Sequence, residues 1–316
     1  MKALVTGGAG FIGSTLVDRL LAEGHAVDVI DDLSSGTLSN LADARAQSDQ
    51  SLKIHRTDIR SVDTEALIER RKPEVIFHLA AQMDVRVSVK DPVFDAEVNL
   101  IGLLHVLEGA RKAGTHKVVF ASSGGTIYGN VTADDLPLRE SQPQRPLSPY
   151  AISKKAATDY LFAYRELYEL DFTSLALGNV YGPRQNPHGE AGVVAIFAGL
   201  LLEGRQCTIF GDGSQTRDYV FVDDIVDAMV RSADRGGGLL CNIGTGVETS
   251  VLQVHDAVAR AVGVNAEPIH AAERPGELPR VSLDPARAGM QLGWRPWTSF
   301  DDGVAQTVDW FRHKDS

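Results

Sequence analysis

The chain has 316 residues, 43% hydrophobic and 23% charged, a globular balance that excludes a disordered chain or a long coiled coil. Lys and Arg number 31 against 42 Asp and Glu, and the net charge of −11 (histidine neutral) argues against docking on nucleic-acid phosphates or an anionic membrane. The length is room for about two domains of ~150 residues each.

An apolar run at 3–6 passes straight into Thr6-Gly7-Gly8, which leaves no space for the apolar segment of a signal peptide. The longest apolar run, 193–202, is broken by Gly199 and is shorter than the ~20 residues of a membrane span. A soluble, cytoplasmic protein is expected. Cys207 and Cys241 are too few and too poorly placed for a disulfide framework or a zinc site, so they read as two core thiols, and no metal is expected.

Further short apolar runs follow at 27–30, 52–55, 75–79, 118–121 and 173–177, and segments of helical period lie between most of them at 14–22, 63–70, 98–113 and 150–168. Near-continuous β-branched runs alternating with helices are the pattern of parallel strands buried on both faces. The serine-rich stretch 33–50 reads as a loop with one helical turn. Beyond Asn179 the texture changes. Pro183, Pro187 and several glycines open a loop; a helix at about 193–203, a strand at 208–210 and a Gly211-Asp212-Gly213 turn follow. A helix at 222–233, a return strand at 239–243, two more helices and the segment 274–284 complete the chain. The expected architecture is α/β: a Rossmann-like doubly wound parallel sheet over 1–178 and a smaller mixed α/β C-terminal substrate lobe over 179–316, with an interleaved boundary.

The first strand runs into Gly7, Gly8, Gly10 and Gly13, and an apolar-periodic helix begins at once with Phe11 and Ile12. Glycine allows the tight turn and close backbone approach to a pyrophosphate, while the helix N-terminus supplies amide donors and a positive dipole end. The second strand ends in Asp31-Asp32, about 20 residues after the turn, where an acid accepts from ribose hydroxyls and repels a 2′-phosphate. The cofactor expected is therefore NAD rather than NADP. Asp58-Ile59, at the end of the third strand, can offer adenine a polar contact and an apolar wall. Pro149 suits a helix start, and Tyr150 and Lys154 then share one face. A lysine cation beside a phenol favours the phenolate, lowering a pKa of ~10 and making a general base for an alcohol proton.

These residues carry a resemblance. Thr6-Gly-Gly-Ala-Gly-Phe-Ile-Gly13, His78-Leu-Ala-Ala-Gln82, Ser122-Ser-Gly-Gly-Thr-Ile-Tyr-Gly129 and Ser148-Pro-Tyr-Ala-Ile-Ser-Lys154 are similar to the motifs of the extended short-chain dehydrogenases/reductases. Asn179-Val-Tyr-Gly-Pro-Arg184, Thr216-Arg-Asp-Tyr-Val-Phe-Val-Asp-Asp224 and Arg274-Pro-Gly-Glu277 extend the likeness over nearly the whole chain. Within that family the chain resembles the nucleotide-sugar 4-epimerases. The resemblance implies tightly bound NAD, regenerated each cycle. It places Leu79, Ala80, Ala81, Gln82, Asn99 and Ser122 against the cofactor, with Asn99 also near the sugar. It implies a serine or threonine hydroxyl shared between the sugar 4-hydroxyl and Tyr150. The usual place for that hydroxyl is Gly124, so the role passes to Ser123 or Thr126, with Ser123 slightly favoured. It further implies that Asn179, Arg217 and Arg274 donate to the diphosphate and Glu277 accepts from the uridine ribose. Arg86 and Arg184 stay open: either can face a C6 carboxylate, hold phosphate, or serve structure.

Family dehydratases carry an Asp-Glu pair, and decarboxylases a Glu, just before the segment at Tyr128; this chain has Gly125 and Thr126 there, without a carboxylate. The resemblance thus implies 4-epimerisation of a UDP-sugar through a 4-keto intermediate, with UDP-glucose/UDP-galactose first among the substrates and UDP-glucuronate as an alternative. A non-epimerising dehydrogenase and, more remotely, an NAD-sensing regulator are the rivals. A homodimer through helices near 98–113 and 150–168 is implied as well.

Overall fold

A computed structural model of the chain describes residues 1–47, 50–187, 192–273 and 278–314. Its centre is a seven-stranded sheet, parallel throughout, in the spatial order Leu239–Ile243, Asp171–Leu177, Lys117–Ser123, Val75–His78, Lys2–Thr6, Ala26–Asp31, Leu52–Arg56. Strand side chains alternate between the two faces, and both faces are apolar, which explains the continuous runs in the sequence. Leu4, Ile30, Ile76, Val118, Phe120 and Phe172 face one core, under the helices Val62–Arg71, Gly102–Ala113 and Pro149–Tyr168. Their neighbours Val5, Val29, Phe77, Val119 and Leu175 face the other, covered by Phe11–Ala22 and Val222–Ser232.

The chain order reverses between Lys2–Thr6 and Val75–His78, so a crevice opens at the carboxyl ends of these neighbouring strands, the usual ligand position in such sheets. Gly7 and Leu79 follow the two strands directly.

Three differences from the sequence reading have physical causes. Leu239–Ile243 does return, but as the edge strand of the central sheet, hydrogen-bonded in parallel to Asp171–Leu177. The loop expected at 33–50 contains the 3-10 turn Leu38–Leu41, opened by the Thr37 side chain, and the helix Ala42–Gln47. Leu41 and Ala44 anchor it in the core, a tertiary contact that local polarity conceals. The helix near 98–113 begins with a π-turn, Glu97–Ile101, before Gly102–Ala113, and the short helices Val85–Lys90 and Pro92–Ala96 precede it, N-capped by Asp84 and Asp91.

The later segments pair in small ribbons: Asn179–Tyr181 with Tyr219–Phe221, Thr216–Arg217 with Thr249–Ser250, and Thr208–Phe210 with Ile269–Ala271. After residue 243 there are three described helices rather than two, Val251–Val262, Ala286–Leu292 and Phe300–His313. A bridge between Leu138 and Leu283 and the burial of both bring a late segment back beside the strand Lys117–Ser123. Among the described residues no helix is long and apolar enough to cross a membrane.

Candidate active site

The glycine turn is built at the crevice. Gly7 has φ +71°, and a Cβ there would lie 2.8 Å from the Ala80 amide nitrogen, so the turn and the Leu79–Ala80 backbone pass each other without room for a side chain. A Cβ on Gly13 would overlap the Gly7 carbonyl oxygen, which is why helix and turn approach so closely. The helix Phe11–Ala22 is N-capped by Gly10 with no side-chain cap and no acid in its first turn. Its first-turn amides, including those of Phe11 and Ile12, therefore face the crevice end of the sheet unscreened by a carboxylate.

Asp31 is buried at the end of its strand, where Oδ2 accepts from the Ala9 N–H at 2.9 Å and Oδ1 from the Leu33 N–H at 2.9 Å. It braces the glycine turn while each oxygen keeps a second acceptor position. Asp32 accepts from the Ser34 N–H and hydroxyl. Asp58 is committed to Arg60, which donates to both carboxylate oxygens and, through this hydrogen bond, holds its carboxyl below the usual range. Ile59 is buried against Gly102.

Thr6 joins the first strand to the turn at 79–82. Its hydroxyl accepts from the Ala80 N–H and lies 2.7 Å from His78 Nδ1. Burial, with Lys154 adding to it, takes His78 down to about 3, so the imidazole is neutral and the Thr6 proton can point at Nδ1. Past Ala81, Gln82 is clamped at its backbone by the buried Asn99, which accepts from the Gln82 N–H at 3.0 Å and donates to the Gln82 carbonyl at 2.9 Å. Asn99 also donates to Asp95, so both of its amide protons are spent inside the protein.

Tyr150 and Lys154 come from the first turns of Pro149–Tyr168, which starts with Pro149 and is capped by the Ser148 side chain. Lys154 is buried, donates to the Ala121 carbonyl at 2.9 Å, and lies 4.8 Å from the Phe120 ring centre and 5.7 Å from that of Tyr150. Burial pulls its ammonium down to about 8, with Asp95 opposing. Burial also pushes the Tyr150 phenol up to about 12, a hydrogen bond from Ser123 works against this, and Asp95 adds to it. The lowering of the phenol expected from Lys154 is thus not realised in the protein alone, because desolvation of the phenolate outweighs it.

Of the two candidate hydroxyls, Ser123 is the one that reaches Tyr150. Thr126 Oγ1 and Ser122 Oγ are buried without a hydrogen-bond partner. Gly124 has a packing reason: a Cβ there would run into Leu283 and lie 2.9 Å from the Ala176 carbonyl oxygen. Gly125 is less crowded, with Asn179 Oδ1 at 3.7 Å from the corresponding position.

In the later half, Asn179 donates its N–H to the Asp218 carbonyl at 2.7 Å, and its side chain faces Gly125. Arg217 lies on the short strand beside Thr249–Ser250, with Nη1 donating to the Thr216 carbonyl. Asp218, fully buried, accepts from Thr245, Gly246 and the Leu283 N–H, and so holds Leu283 against the catalytic strand. Arg184 is engaged by the first helix: Nη1 lies 2.6 Å from Asp18 and Nη2 4.0 Å from Asp43. Arg86 is exposed, with Asp84 at 3.6 Å. Neither arrangement favours a carboxylate-binding role. Arg274 and Glu277 lie outside the described residues.

Sequence reasoning missed Asp95, Ser153, Asp218 and Leu283. Asp95 had a faint signal in its i, i+4 spacing to Asn99; the others depend on contacts distant in sequence.

A phenol, a hydroxyl donor and an ammonium meet beside a glycine turn at the topological switch point of a parallel sheet, which defines an oxidoreductase-type site. The chain belongs to the extended short-chain dehydrogenase/reductase family, and its residues 4–307 match the family described as GDP-mannose 4,6 dehydratase. It is 54% identical to the UDP-glucose 4-epimerase of Mycolicibacterium smegmatis over 315 residues, 99% of each chain. The structure of the Thermotoga maritima UDP-glucose 4-epimerase with UDP-glucose superposes with a TM-score of 0.94 at 42% identity, covering 100% of both chains. That of the Thermus thermophilus UDP-glucose 4-epimerase complex with NAD gives 0.91 at 44% identity over 99% of each.

Proposed function

We infer that the protein is an NAD-dependent UDP-glucose 4-epimerase, interconverting UDP-glucose and UDP-galactose. The observation that carries this reading is the Tyr150–Ser123 hydrogen bond beside buried Lys154, in a site whose strand offers glycines where a dehydratase would need acids. The similarity to UDP-glucose 4-epimerases supports it.

The chain's residues fit NAD. The glycine cradle that a Cβ would fill, the open first-turn amides, the Asp31-Asp32 acceptors and the orphaned Ser122 hydroxyl form a donor and acceptor set suited to pyrophosphate, ribose and carboxamide. When bound, NAD supplies the oxidising and reducing equivalents at the sugar C4. Tyr150 Oη accepts the 4-hydroxyl proton as C4 becomes a ketone, and returns it when the opposite face is reduced. Ser123 donates to the oxygen that carries developing charge, and Lys154 keeps positive charge beneath it. The 4-keto sugar must turn over between the two half-reactions, so the anchor is the nucleotide diphosphate, with Asn179, Arg217 and Arg274 as donors and Glu277 on the ribose. In this reading residues 1–178 hold the cofactor and 179–316 the nucleotide sugar.

The enzyme is cytoplasmic and homodimeric. Ile101, Ile152, Phe162 and Leu167 are exposed on the helical side formed by the π-turn and Pro149–Tyr168, and their apolar surface supports pairing there. Light scattering is expected to give twice the mass of one chain, and substituting Ile152 and Phe162 by lysine should shift it to one; a monomeric wild type contradicts the pairing. The catalytic reading is tested by conversion of UDP-galactose to UDP-glucose without added NAD.

A further inference from the structure

Asp95 belongs to neither catalytic motif. It sits in the short helix Pro92–Ala96 and is fully buried. Its Oδ1 accepts from the Gln82 side-chain amide and from the Asn99 amide, both at 2.9 Å, and its Oδ2 accepts from the Ser153 hydroxyl at 2.7 Å. Ser153 lies between Tyr150 and Lys154 on the helix Pro149–Tyr168. Asn99 grips the Gln82 main chain at both its N–H and its carbonyl. One carboxylate therefore joins the turn after the strand Val75–His78, the π-turn Glu97–Ile101 and the catalytic helix.

A buried carboxylate is costly unless donors surround it and a cation compensates it. Three donors do the first, and Lys154 does the second. The other groups facing the pair are neutral: His78 from the strand Val75–His78 and the Ser123 hydroxyl from Lys117–Ser123. Asp95 acts on both Tyr150 and Lys154.

We propose that Asp95 is a positioning residue for the reaction, tying the Tyr150–Lys154 turn through Ser153 to the Gln82 main chain and supplying the negative charge that balances buried Lys154. The proposal rests on the epimerase reading for its activity readout, whereas its charge component is measured without turnover.

Two variants separate the components. In Asp95→Asn the new Oδ1 still accepts from Gln82 and Asn99, and the new amide donates to Ser153, so the contacts survive while the charge goes. Ser153→Ala keeps the charge and cuts the tie. Tyr150 phenolate is read in nucleotide-free protein by ultraviolet absorbance against Tyr150→Phe, alongside kcat for UDP-galactose as a function of pH. Removing the anion makes the pair lose its proton more readily. In Asp95→Asn both the absorbance transition and the rise of kcat are expected to move to lower pH by at least about half a unit. The plateau should fall roughly 10-fold, because the phenolate is a weaker base, with KM within about twofold. Ser153→Ala is expected to lower kcat with its transition unmoved.

An Asp95→Asn transition that superposes on wild type overturns the charge-balancing role. Unchanged kcat in Ser153→Ala, or losses that merely track melting temperature, overturns the positioning role. Should Asp95→Asn not fold, Ser153→Ala alone decides the tie. A wild type that fails to epimerise contradicts the functional reading and leaves the absorbance comparison as an independent test of Asp95.

Discussion

At the scale of single residues, the site turns on which proton leaves first. Burial brings Lys154 to about 8 and Tyr150 to about 12, so the pair sheds its first proton near or below pH 8. Phenolate with ammonium and phenol with amine have the same proton count, and only the first is the base. Wild-type kcat should therefore rise with pH to a plateau by about 8, and in Lys154→Met, where the lone phenol starts near 12, the rise should move upward. In the same series Tyr150→Phe should lose about 10²–10⁴-fold in kcat, and Ser123→Ala roughly 10²-fold. Thr126→Ala, whose hydroxyl does not reach the phenol, should change KM more than kcat. Equal kcat losses for Ser123→Ala and Thr126→Ala would contradict the assignment. The tyrosine and lysine were legible from their spacing and the proline before them. The choice between Ser123 and Thr126 was not, because it depends on how the strand end turns toward the helix.

At the scale of elements, the catalytic strand is set by what packs on it from far along the chain. Leu283 occupies the space that a side chain at 124 would need, and Asp218 holds Leu283 there through its N–H. Gly124→Ser is expected to cost about 1–3 kcal/mol by overpacking and to lower activity despite introducing a hydroxyl. Leu283→Ala should cost about 2–5 kcal/mol alone. The double variant should lose less than the sum, since the cavity receives the serine. Strict additivity in denaturant unfolding would show that the two positions do not share that space. From sequence, Gly124 was visible only as a departure from pattern; its cause lies 159 positions away and leaves no local trace. The glycine turn was the opposite case, since strand, turn and helix are contiguous. So were the first six strands of the sheet, whose two apolar faces wrote themselves as unbroken runs. The helix Ala42–Gln47 was obscured by surrounding polar residues, its burial resting on Leu41 and Ala44.

At the scale of the whole molecule, the first half carries the chemistry and the second half closes over it, returning one strand to the central sheet at Leu239–Ile243 and one buried contact to the active strand at Leu283. That interleaving makes sugar specificity hard to read from the chain: the pocket wall is assembled from segments that meet only on folding, and the ion pair of Arg184 with Asp18 illustrates how a motif arginine can be drawn into the scaffold. The reaction class is better determined than the sugar because it depends on a few atoms around one tyrosine. The most direct test of the central claim is proton NMR of UDP-galactose incubated with purified protein and no added NAD. The account predicts growth of the UDP-glucose anomeric signal to an equilibrium mixture with no accumulation of reduced cofactor. No epimer forming even after NAD is supplied, or stoichiometric release of reduced cofactor with an oxidised sugar, would contradict it.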